Sequence, residues 1–147
     1  PNVVLWHTWL DDLIHLHQRL PDQVYRLAPD GLQSDGFWKL INRLQQGRRL
    51  VITSDHGYAA TRLFSTEEHD SEVVGALRET FSASRCKPAA EPWRHPFMPP
   101  LVVTENGYHV VMGQRKWKVQ GGFPQLCHGG LSLLEVAVAF VELSPCD

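Results

Sequence analysis

Apolar positions fall along this chain in short blocks whose spacing changes from one block to the next. Val3-Val4-Leu5-Trp6 is a continuous apolar run, the pattern of a short buried strand. Leu10, Leu13, Ile14, His17 and Leu20 then recur at helical spacing, Thr8 stands at the N-cap position, and Pro21 marks a break. A second helix is expected over 34–46. Ser34 caps it, Phe37, Leu40, Ile41 and Leu44 form its stripe, and Gly47 ends it. Residues 49–54 read as a strand that runs into a turn at Asp55-His56-Gly57. Strand, helix, helix, strand is the order of an α/β layer with parallel strands.

A third helix is expected within 66–84, with Val73, Val74, Leu77 and Phe81 on one face. Residues 86–100 carry Pro88, Pro92, Pro96, Pro99 and Pro100 and little periodicity, which reads as an irregular surface excursion. Residues 101–105 and 108–112 flank Asn106-Gly107 as a β-hairpin, because Asn-Gly suits the positive φ of a type I′ turn. Residues 116–125 are basic, then glycine-rich, and read as a loop. Ser132 and Glu135 have the spacing of a capping box, so a short helix should start there. Residues 138–143 read as a last strand.

Composition narrows the class. The 147 residues suit one compact domain, 1–147, and 43% hydrophobic against 20% charged residues excludes global disorder. A net charge of −2 gives no electrostatic case for direct nucleic-acid binding. It leaves a phosphate substrate open, because bound metal ions dominate a local field. Cys86, Cys127 and Cys146 are odd in number and form no C-x-x-C pair, against a disulfide framework or a cysteine zinc site. With no apolar membrane span and no signal peptide, the expected setting is cytoplasmic. The start at Pro1, with a strand-like run directly after it, reads as a piece of a longer protein. Neither G-x-G-x-x-G nor a P-loop is present, which excludes the nucleotide-binding α/β readings those motifs mark.

Three places carry candidate chemistry. Asp55 and His56 follow a strand end, where open α/β sheets bind ligands, and an Asp-His pair can ligate Zn²⁺ or Mn²⁺. Gly57 permits a sharp turn and close backbone approach. Alone, this is equally a polar turn. Asp11 and His15 share one helix face at i, i+4 and can address one cation; alone, they are equally a dipole-compensating acid and a solvated His. His7 and His17 lie nearby, His17 on the apolar stripe. His128 precedes two glycines and the capping box, so it sits on a tight turn before a helix. Arg115, in the basic loop between the hairpin and His128, offers a bidentate fork to a phosphate, or is simply solvated.

Together, D-x-x-x-H, then Ile-Thr-Ser-Asp-His-Gly-Tyr, then His-Gly-Gly-Leu-Ser-Leu-Leu-Glu-Val resemble the PglZ domain of the alkaline phosphatase superfamily. The resemblance runs over nearly the whole chain and corresponds to the C-terminal portion of that catalytic domain. It departs at Ala139, where such domains commonly carry proline. It implies a partial three-layer α/β core, a mostly parallel sheet flanked by helices, with the β-hairpin as an insertion. It implies two divalent ions, Zn or Mn. One would be held by Asp11, His15 and His128; the other by Asp55 and His56 together with an Asp and a Ser or Thr nucleophile from an upstream strand absent from these residues. Thr53 and Ser54 are not that nucleophile. The implied function is a metal-dependent phosphatase or phosphodiesterase, inactive as this piece alone, whose partners are a phosphate ester and the N-terminal part of the same domain. The alternative is a non-catalytic PglZ-like interaction module in a bacterial phage-defence or signalling protein.

Overall fold

A computed structural model describes residues 2–67, 71–95 and 99–146. Residues 68–70 of the expected third helix and 96–98 of the proline-rich excursion lie outside them, as do Pro1 and Asp147. The chain forms two compact units, residues 1–53 with 140–147, and Ser54–Ala139.

In the first unit, α1 (Trp9–His17), α2 (Pro21–Leu32) and α3 (Asp35–Gln45) precede β1 (Leu50–Thr53), and β9 (Phe140–Leu143) returns to pair with β1. Ser34 caps α3 as its sequence suggests, accepting from the Phe37 amide at 3.2 Å, and Gly47 takes a φ of +61° just beyond the helix. Thr8 does not cap α1; its hydroxyl donates to the Asp12 carboxylate at 2.8 Å. Pro21 ends the first helical run and also opens α2, because a proline at the first helical position gives up an amide that had no partner there. Pro29 and Gly31 lower the helical signal of α2, and the expected order of elements lacked this helix. Gly31 is needed: a Cβ there would lie 2.2 Å from the Trp9 indole, so α1 and α2 pack through that gap.

Two expectations fail in this unit. Val3, Val4, Leu5 and Trp6 form no strand and are 78, 90, 58 and 70% exposed. A strand exists through a partner's hydrogen bonds, and no described strand supplies them. The expected mostly parallel sheet is also not what the described residues form. β1 and β9 run antiparallel, Leu50 opposite Leu143 and Thr53 opposite Phe140. Parallel pairing needs a crossover that returns the chain in the same direction, whereas β9 arrives from far downstream in the opposite one.

The second unit contains β2 (Ala59–Ala60), a 3-10 turn at Thr61–Leu63, β3 (Ser65–Thr66), α4 (Ser71–Phe81), β4 (Cys86–Pro88), β5 (Val102–Glu105), β6 (Tyr108–Val111), β7 (Arg115–Lys116), β8 (Leu126–Cys127) and α5 (Leu133–Val136). The hairpin β5–β6 forms as expected, with Asn106 and Gly107 at φ +49° and +78°. β4 pairs antiparallel with β6, so the proline-rich excursion begins as an edge strand, the place in a sheet that tolerates Pro88. The α4 stripe Val73, Leu77 and Phe81 packs with Leu101, Val102, Val111 and Trp117. Trp117, inside the expected basic loop, is 1% exposed and donates its indole N–H to the Ser82 carbonyl at 2.8 Å. The only parallel strand pair among the described residues is the two-residue β3–β7. The fold is therefore mixed α and β with small, mostly antiparallel sheets.

Candidate functional site

The second unit brings two distant motifs together through one short strand pair. β2 and β8 are antiparallel with Ala59 opposite Cys127. The residues just before β2 therefore lie beside the residue just after β8. Those are His56 to Tyr58 and His128. Thr61 prolongs the alignment, its amide donating to the Gln125 carbonyl at 2.9 Å and its hydroxyl to the Pro124 carbonyl at 2.6 Å.

The imidazoles of His56 and His128 stack, 4.2 Å between centroids and 6° between planes. Tyr58 stands edge-on to both, 5.1 Å from each ring. Asp55 Oδ2 lies 3.8 Å from His56 Nε2. His56 Nδ1 lies 3.2 Å from the Gly57 carbonyl. A carbonyl only accepts, so that contact is made by an Nδ1–H and leaves Nε2 as the ring nitrogen on the Asp55 side. Metal-binding histidines are commonly oriented this way, the other ring nitrogen donating to a carbonyl or carboxylate.

The Asp-His-Gly turn is held by backbone contacts. Ser54 Oγ donates to the His56 carbonyl at 3.0 Å, and the Gly57 amide donates to the Glu135 carbonyl at 2.8 Å. A Cβ on Gly57 would lie 2.3 Å from the Leu134 carbonyl oxygen and 2.4 Å from that of Ala137. The close approach expected of Gly57 is thus made to α5.

The loop with His128 is organised from beneath. Glu135 and Arg85 have side chains 0% exposed and pair at 2.6 Å, Nε to Oε1. The Gly130 amide donates to the same oxygen at 3.0 Å, and the Ser132 amide donates to Oε2 at 3.3 Å. The second contact is half of the expected capping box. Arg85 also donates to the carbonyls of Arg115 and Gly113, and its guanidinium lies 4.7 Å from the Phe64 ring centroid. Burial, and next the Glu135 carboxylate, push the Cys127 thiol up to about 12. Sequence reasoning gave Glu135 only a capping role and gave Arg85 none; one arginine among polar neighbours carries no sign of burial. Tyr58 was legible only as part of the motif.

The remaining candidates divide between the units. Asp11 and His15 face each other on α1, 3.7 Å apart, each about half exposed. They belong to the first unit; Asp55, His56 and His128 belong to the second. Arg115 is engaged by protein, its guanidinium donating to Glu67 at 2.6 Å. No described helix is long and apolar enough to cross a membrane.

Comparison with known proteins returned no matching family model, no matching curated protein and no matching solved structure.

Proposed function

We propose that the chain is the metal-binding portion of a metal-dependent phosphoesterase domain of the PglZ type. One observation carries this reading. The two histidines of the motifs that suggested the family, far apart in sequence, lie ring against ring, with Asp55 beside one of them.

In this reading Asp55 and His56 hold one ion, and His128 with Asp11 and His15 holds the second. The second set rests on the resemblance alone. Bound ions of Zn or Mn would polarise phosphoryl oxygens and activate a nucleophile. The chain's own part is to present carboxylates and imidazoles in fixed orientation. The alkaline-phosphatase-like core that completes the reading needs parallel strands, and a nucleophile, from outside these 147 residues.

Zinc titration by calorimetry tests the assignment. His15→Ala should weaken the tighter site more than His56→Ala does; the opposite order contradicts the ligand sets. The purified chain should turn over a phosphodiester such as bis-p-nitrophenyl phosphate little or not at all, and robust metal-dependent turnover would remove the claim of a missing nucleophile. A wild-type chain that binds no zinc supports the alternative, a non-catalytic interaction module. One observation favours that second reading: Arg115 is committed to Glu67 instead of facing a substrate.

A further inference from the structure

We infer that the buried Arg85–Glu135 pair is a positioning device that sets the His128 imidazole against His56; this rests on the reading of those histidines as metal ligands. Burying two charges costs more than an apolar pair of the same size, so stability alone is a poor reason for the arrangement. Its geometry gives a better one. A single carboxylate collects donors from one short stretch of loop: the Cys127 thiol at 3.8 Å, the Gly130 amide at 3.0 Å and the Ser132 amide at 3.3 Å. His128 lies within that stretch. Arg85 fixes the carboxylate in turn and is itself anchored to the carbonyls of Gly113 and Arg115.

Both glycines after His128 serve this arrangement. Gly129 turns the chain at φ +90°, a conformation L side chains rarely adopt. Gly130 admits the guanidinium: a Cβ there would lie 2.5 Å from Arg85 Nε and Nη2. Glu135 also lends its backbone to the opposite motif, its carbonyl accepting from the Gly57 amide. One residue therefore holds both sides of the imidazole pair, the His128 side by its carboxylate and the His56 side by its backbone. Removing the carboxylate frees the first side and leaves the second.

The test separates positioning from folding. In the full chain, Glu135→Gln keeps the shape but loses the charge, and it leaves Arg85 buried without a counter-ion. The double variant Arg85→Met with Glu135→Leu removes both charges and keeps the volume apolar. An exchange-protected Trp117 indole N–H, which donates to the Ser82 carbonyl, reports in proton–nitrogen spectra that the core of the second unit is folded. In whichever variant folds, nuclear Overhauser contacts between the His56 and His128 rings should vanish, and zinc affinity should fall roughly 10–100-fold, as for other groups that orient metal ligands. Glu135→Asp, which keeps the charge on a shorter arm, should recover part of both signals. Unchanged ring contacts in a folded variant overturn the inference. So does unchanged zinc affinity in a variant whose ring contacts are lost. If the wild-type chain binds no zinc, the metal-centre reading fails by itself, and the ring contacts still decide whether the pair positions His128.

Discussion

The two units solve the problem of holding helices in different ways. In the first, each helix buries a single residue deeply: Ile14 in α1, Val24 in α2 and Ile41 in α3. Large apolar side chains such as Leu16, at 76%, stay in water. In the second, α4 closes over a three-stranded sheet with Trp117 and Phe81 almost fully buried, and a charge pair is sealed beneath the His128 loop. The contrast suits the candidate chemistry. Asp11 and His15 sit on a helix turn with half their surfaces exposed, whereas His56 and His128 are fixed by a register, two close backbone approaches and a buried carboxylate. Burial in the second unit gives His56 and His128 the rigid support that precise ligand placement needs.

Mutation can break this contrast, and the largest effect should come from its core. Phe81→Ala should cost about 3–5 kcal/mol and unfold the second unit at lower denaturant, followed by loss of the protected Trp117 indole N–H signal; a loss under about 1 kcal/mol would mean the cluster is loosely packed. Next comes Gly57→Ala. Its Cβ would meet two carbonyl oxygens that cannot swing aside, so a cost of about 1–3 kcal/mol is expected, together with weaker His56–His128 ring contacts in proton spectra. Ser34→Ala should cost about 1 kcal/mol through the lost cap of α3, seen as reduced helical circular dichroism on mild heating. Smallest is Leu16→Ala, within about 0.5 kcal/mol. A shift of the melting temperature by many degrees would show that Leu16 packs in solution and that the first unit has more core than described.

Much of the local structure was legible. The Ser34 cap, the Asn106-Gly107 turn and the Val73-Leu77-Phe81 stripe each express a rule that acts within a few residues, and each appears. Errors arose where a partner decides. Val3 to Trp6 has the composition of a strand but no described strand to pair with. Residues 86–88 look irregular by their proline yet become β4 because β6 offers an edge. α2 was hidden by Pro21, read as an end when it was also a beginning. The candidate site divides in the same way. Asp55, His56 and His128 could be named from their motifs, but their stacking follows from the β2–β8 register, which no local pattern encodes.

By itself, then, the sequence determined the Ser34 cap, the Asn106-Gly107 turn, the apolar face of α4 and the identities of the candidate ligands of this protein. Those depend on backbone preference and side-chain chemistry over one or two turns of chain. Only the tertiary structure decided which strands pair and in which direction, that Arg115 is bound to Glu67, and that Arg85 lies buried on Glu135. Those outcomes depend on which distant groups can satisfy one another's hydrogen bonds and charges once water is excluded.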